Sequence, residues 1–251
     1  MKVSVITAVY NNEKTIASAV ESVLSQSYDD VEYIVIDGNS SDDTLNIIKR
    51  YEKNIDVLIS EPDGGIYDAL NKGIKNATGD VVCFLHSDDI YAHENVLKDV
   101  NELFERTGTD SVYGDLVYVK KENVDKVVRY WKSGEFNVKK LKRGWMPPHP
   151  TFFVKREVYE KYGGFDTSFR IAADYDTVLR FLGVQKITTA YLEDVLIKMR
   201  LGGESNKSLQ NLKKKTKEDI RALRKNRIGG YSTIFIKNVS KLPQFLKSDS
   251  Q

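Results

Sequence analysis

Apolar runs and amphipathic stretches alternate through the first hundred residues. Val3–Val9 is a nearly continuous β-branched run, the pattern of a strand buried on both faces. Residues 13–26 then place Ile16, Val20, Val23 and Leu24 at helical spacing. A second strand over 31–36 ends at Asp37, and the turn 38–42 offers Ser or Asp to cap a helix over 43–51. The same reading gives a strand over 57–60, a loop over 61–65, a helix over 66–76 and a fourth apolar strand over 80–85. That strand closes at His86-Ser87-Asp88-Asp89 and is followed by a helix over 95–106. Such alternation implies an α/β fold with a mostly parallel central sheet flanked by helices. Ligands of such sheets bind beyond the carboxyl ends of the strands, where Asp37, Asp88 and Asp89 fall.

The second half is less regular. Strands are expected over 111–120 and 126–132, as a pair, and over 151–155 after the stiff Pro147-Pro148-His149-Pro150. Helices are expected over 157–162 and 173–182, and a last strand over 195–201. No Gly-, Ser- or Pro-rich linker divides the chain, which favours one domain over 1–206 and a basic amphipathic helical tail over 207–251.

Charge sharpens that division. Net charge is only +2, but residues 207–251 hold 12 Lys/Arg against 3 Asp/Glu, leaving the remainder acidic. The tail is therefore the candidate for an anionic partner, a membrane surface being the expectation and nucleic acid not. Its stretch from Lys213 to Arg227 is basic. Beyond Gly229-Gly230, Tyr231, Phe235, Val239, Leu242 and Leu246 recur every three or four residues, with Pro243 ending or kinking that helix. Packing of that stripe on the body is the other reading. A hydrophobic fraction of 41% excludes a disordered chain. The single Cys83, inside an apolar run, reads as a buried structural thiol and forms no internal disulfide. No secretory pattern opens the chain, and no apolar run reaches the roughly 18 residues of a membrane span. A cytoplasmic protein, peripheral to the inner face of the cell membrane at most, is expected.

Several side chains are candidates for chemistry. Adjacent Asp88 and Asp89 after a buried strand can tether a hard divalent cation with a diphosphate, or Asp89 can simply cap a helix. Asp37 can accept from a nucleobase imide or a ribose hydroxyl, or can form a turn before Gly38. Asp63-Gly64-Gly65 lets backbone approach a ligand, or makes a tight turn. His149 in its Pro-flanked segment reads as structural or as a ligand. Asp174 opens a helix, where it either answers the helix dipole or acts as a general base. Lys198 and Arg200 could clamp a phosphate or lie in solvent.

Taken in order, these segments resemble the family 2 inverting glycosyltransferases, which have the GT-A fold. The resemblance spans roughly residues 1–205. It rests on Ser4-Val5-Ile6-Thr7-Ala8-Val9-Tyr10-Asn11-Asn12, on Tyr33-Ile34-Val35-Ile36-Asp37-Gly38-Asn39-Ser40, on Asp63-Gly64-Gly65-Ile66-Tyr67-Asp68-Ala69-Leu70-Asn71-Lys72-Gly73 and on Phe84-Leu85-His86-Ser87-Asp88-Asp89. It implies a nucleotide pocket formed by Asp37 with backbone near Thr7, Val9 and Tyr10, joined by Asp63 and Asp88. It further implies Mn²⁺ or Mg²⁺ at Asp88 and Asp89, with Asp89 the favoured ligand, and Asp174 as the base. The family's commoner motifs carry another Asp where this chain has His86-Ser87, and Glu where it has Ala173. The activity implied is transfer of a sugar from a nucleotide-diphosphate donor, expected to be a UDP-sugar, to a hydroxyl of a lipid-linked or saccharide acceptor in cell-surface polysaccharide assembly. His149, Lys198 and Arg200 would then face the diphosphate or the acceptor.

Two rivals lack their phosphate loops. The first strand is followed by Tyr10-Asn11-Asn12-Glu13, not the Gly-rich turn of a dinucleotide oxidoreductase or of a sugar nucleotidyltransferase. A non-catalytic sugar-nucleotide-binding or structural subunit would keep Asp37 but have no use for Asp174.

Overall fold

In the computed structural model, which describes residues 1–202 and 209–239, the expected alternation is present throughout the amino-terminal half. Strands β1 (Val3–Val9), β2 (Val31–Asp37), β3 (Val57–Ser60) and β4 (Val81–Phe84) are parallel. Between them run α1 (Ile16–Leu24), α2 (Thr44–Lys49) and α3 (Ile66–Asn76). The short β5 (Ile90–Tyr91) and α4 (Val96–Thr107) lead to a long hairpin, β6 (Ser111–Lys120) and β7 (Asn123–Trp131). There follow α5 (Val138–Leu141), β8 (Phe152–Lys155), α6 (Arg156–Tyr162), α7 (Ala173–Val178) and β9 (Thr189–Arg200). The last described elements are α8 (Leu209–Lys225) and α9 (Tyr231–Val239).

The strands form one mixed sheet in the order β3-β2-β1-β4-β8-β6-β9-β5, with β7 paired to β6. Side chains of β1 alternate between its faces. Ile6 and Ala8 join a core with α3 and α7, whereas Val3, Val5 and Val9 join one with α1 and α4. The helix α3 lies so close to β1 that a Cβ on Gly73 would drive into Ile6 Cγ2. Cys83 is fully buried, and burial pushes its thiol up to about 12, which suits a structural role.

The structure departs from expectation in three places. β9 begins at Thr189 rather than 195, because its first half is held by pairing with β6 and not by an apolar pattern. β5 and α5 are too short to register as periodic patterns. The helix expected over 173–182 changes to a wider π turn at Leu179–Val184, where Gly183 packs directly on Ile228. That contact is one of several made by the carboxy-terminal helices. Ala222, Leu223, Ile228 and Ile234 all belong to the α3 and α7 core. The apolar positions Leu242 and Leu246 lie outside the described residues.

Candidate active site

Parallel register aligns the carboxyl ends of three strands, with Val9 beside Asp37 and Asp37 beside Ser60. At this edge a cleft of ≈ 610 Å³ opens, lined by Tyr10, Gly38, Asn39, Pro62, Asp63, Gly64, Gly65 and Arg170. Tyr10 projects into it and is 63% exposed. Asp63 Oδ1 accepts from the Gly65 amide at 2.8 Å, and its Oδ2 presses on Gly38, where an added Cβ would sit 2.5 Å away. Gly38 thus allows the β2 turn and the 61–65 loop to meet. Asn39 is left-handed at φ 64°.

Asp37 is sealed behind this surface. It is fully buried, and its carboxylate accepts from the Ser40 hydroxyl at 2.5 Å, the Ser60 hydroxyl at 2.6 Å and the Ser40 amide at 3.2 Å. The Thr7 side chain is likewise enclosed, receiving the Tyr33 hydroxyl, and the Val9 carbonyl accepts from Gly38 N–H at 2.9 Å.

The acidic turn after β4 is held from both sides. Thr15 Oγ1 donates to the Ser87 carbonyl at 3.0 Å and Asn12 Nδ2 to Ser87 Oγ at 2.9 Å. From β9, the Arg200 amide donates to Asp89 Oδ1 at 3.2 Å and its guanidinium to the Asp88 carbonyl at 2.8 Å and Ser18 Oγ at 3.0 Å. Arg200 therefore anchors the turn. Lys198 pairs with Asp125 of β7 at 3.5 Å. The cation lining the cleft is instead Arg170, which donates to the Gly64 carbonyl at 2.8 Å.

Antiparallel pairing of β8 with β4 delivers the segment before β8 to this same edge. The His149 ring stacks on Phe84 and lies 5.6 Å from the His86 ring. Burial lowers the pKa of both imidazoles, that of His149 to about 4, and so favours neutral rings. Asp174 is near enough for its charge to act on both rings. Its Oδ1 accepts from the Tyr175 amide at 2.8 Å and, more loosely, from the Tyr67 hydroxyl at 3.4 Å. Sequence reading assigned no role to His86, Tyr67 or Arg170, although His86 stands where a third acid is commoner and Tyr67 lies within the 63–73 segment.

The metal expected at the acidic turn can be tested on the donors present. Asp89 Oδ2 is enclosed with no hydrogen-bond partner, and burial, then Asp88, push that carboxyl well above the ordinary range. An enclosed, unpaired carboxylate oxygen beside the half-buried Asp88 fits a hard cation. Elsewhere, His93, Asp99 and Asp194 form a group that could hold a metal ion at the β5 edge. There His93 Nε2 already bonds Asp194 at 3.0 Å, and Nδ1 accepts from the Asn95 amide.

A parallel half-sheet ending in carboxylates, continued by an antiparallel extension that returns to the same edge, is the GT-A architecture of glycosyltransferases. The chain belongs to glycosyl transferase family 2, whose model matches residues 4–163. An uncharacterised glycosyltransferase of Mycobacterium tuberculosis is 36% identical over 182 residues, 71% of this chain and 68% of its own. A PGL/p-HBAD biosynthesis glycosyltransferase of Mycobacterium bovis is 26% identical over 208 residues, 81% of this chain and 78% of its own. Among solved structures, S. aureus TarS residues 1–349 with UDP-GlcNAc aligns with a TM-score of 0.72 at 20% identity. The alignment covers 99% of this chain and 72% of that one. Mannosyltransferase PcManGT from Pyrobaculum calidifontis, with GDP-Man and Mn²⁺, aligns at 0.68 and 18% identity, covering 98% and 73%.

Proposed function

We propose that this glycosyltransferase uses a UDP-sugar and Asp174 as general base, inverting the anomeric configuration. The carrying observation is Asp174 itself, a carboxylate whose charge acts on two half-buried imidazoles at the strand edge that also bears Asp88 and Asp89. Asp174 takes the proton of the acceptor hydroxyl as that oxygen bonds to the anomeric carbon. The bond from that carbon to the diphosphate oxygen breaks with its electron pair, and UDP leaves. Asp88 and Asp89 would hold Mn²⁺ or Mg²⁺, which when bound offsets charge on the diphosphate. Burial keeps His86 and His149 neutral, so the imidazole pair places no cation beside the Asp174 carboxylate. The nucleobase lies against Tyr10 and the 63–65 loop, with Asp37 behind it bracing Ser40 and Ser60. TarS, which was solved with UDP-GlcNAc, supports a uridine donor, and the PGL relative supports glycan assembly.

Asp174→Asn keeps the shape but removes the proton acceptor. Turnover should fall by roughly 10²–10⁴-fold with UDP affinity little changed. A variant retaining most of its transfer rate refutes the base assignment, whereas UDP binding without any transfer or donor hydrolysis by the unaltered protein favours a non-catalytic binding subunit. Excess chelator should also abolish turnover, with either ion restoring it.

A further inference from the structure

Three consecutive amides just before the base helix converge on one carboxylate from the far end of the chain. Glu218, in α8, accepts from the Arg170 amide through both oxygens at 3.1 Å. Its Oε2 also accepts from the Ile171 amide at 2.8 Å and the Ala172 amide at 3.1 Å. Successive backbone N–H groups pointing one way form a nest for an anion, and here the anion is a buried side chain.

What the nest holds is the segment on which the proposed chemistry depends. Arg170 lines the cleft and reaches the Gly64 carbonyl. The Ile171 carbonyl accepts from the Tyr67 hydroxyl at 2.7 Å, and that hydroxyl also contacts Asp174. Regular helix begins only at Ala173. Hydrogen bonds to Glu218 and Tyr67 therefore hold the three residues that lead into the helix bearing Asp174. The helix carrying Glu218 is itself fixed to both flanks of this segment. Lys225 bridges Asp166 and Asp176, each at 2.8 Å, and Asn226 donates to Asp176 at 2.8 Å.

We propose that Glu218 is a positioning residue for transfer, aligning Asp174 and Arg170 through the backbone of residues 170–172. The carboxy-terminal helix would then be part of the catalytic apparatus. The inference rests on the reading of Asp174 as base. A displacement of about 1 Å at a reacting group can cost on the order of 10²-fold in rate. Glu218→Ala should accordingly lower turnover by about 10- to 100-fold, with a smaller loss in UDP affinity. Formate, which fits the emptied nest, should restore turnover saturably in Glu218→Ala and leave Asp174→Asn unaffected. If Glu218→Ala does not fold, Glu218→Gln keeps the volume and one acceptor, and should show native stability with reduced turnover. Wild-type turnover per folded molecule in the variants, or a loss that formate does not recover in folded Glu218→Ala, overturns the proposal. Assayed in parallel, an active Asp174→Asn refutes the base reading. An inactive Asp174→Asn beside fully active Glu218 variants refutes only this inference.

Discussion

Two carboxylates near the strand ends, Asp37 of β2 and Asp63 of the 61–65 loop, illustrate how the same side chain serves different ends. Asp37 has its oxygens filled by Ser40 and Ser60, whereas Asp63 stands at the cleft surface against Gly38. If Asp63 reads the base, Asp63→Ala should weaken UDP by about 1–3 kcal/mol, the scale of a lost charged hydrogen bond. Equal UDP binding by Asp63→Ala and wild type in calorimetry would remove Asp63 from the base pocket. His149 carries the pH prediction. Burial lowers its folded pKa to about 4, below the ordinary 6.5, with Asp174 opposing that shift and His86 reinforcing it. The unfolded chain then binds the proton more readily, so its contribution to stability is complete above pH 6.5 and is lost as pH falls towards 4. Urea unfolding at pH 7 and pH 4.5 should show that loss, and His149→Gln should flatten it. An unchanged pH slope in the variant would exclude His149 as its source.

At the scale of elements, helix α3 depends on one missing side chain. Gly73 costs helix propensity, yet it lets α3 approach β1 closely enough to bury Tyr67 and Leu70 on the sheet. Tyr67 is the hydroxyl that reaches both Ile171 and Asp174, so this packing also serves the site. Gly73→Ala would gain helix propensity in isolation, but the new methyl overlaps Ile6. Overpacking should win, with a net loss of about 1–3 kcal/mol in chemical denaturation. A stabilised variant would mean that α3 can shift outward at little cost. Periodicity made α3 readable because its apolar stripe is regular. β9 was only half readable, since its first part owes its strand conformation to β6.

Across the whole molecule, packing divides the carboxy-terminal helices into two faces. One face enters the core, as above. The other leaves Tyr231, Phe235 and Ile236 exposed at 66%, 71% and 40%. The buried Thr233 Oγ1 donates to the Lys142 carbonyl at 2.8 Å and so ties α9 to the end of α5, where Val138 is half exposed beside exposed Lys139, Lys142 and Arg143. Aromatic side chains amid basic ones suit an anionic bilayer surface, where each Lys or Arg contributes about 1 kcal/mol. Deleting residues 207–251 would take Ala222, Leu223 and Ile234 out of the core, so substitutions make the cleaner test. Phe235→Ser combined with Lys139→Glu and Lys142→Glu should abolish salt-sensitive sedimentation with anionic vesicles and spare UDP binding. Undiminished sedimentation would rule out this face as the contact.

The sequence by itself determined the parallel half of the sheet, the strand ends and the acids at them, because burial on two faces writes a continuous apolar run and strand ends follow from it. It also marked the basic, helical character of residues 209–239. Tertiary structure alone decided which of those acids are sealed and which face the cleft, since that depends on donors such as Ser60 and Arg200 brought from other strands. It decided that Arg200 anchors the acidic turn while Arg170 lines the cleft, and that His149 meets His86. It placed Glu218 against the amides of residues 170–172, 46 to 48 positions away along the chain. Such contacts carry no periodic signature, because they are set by how separate elements pack and not by any one element's pattern.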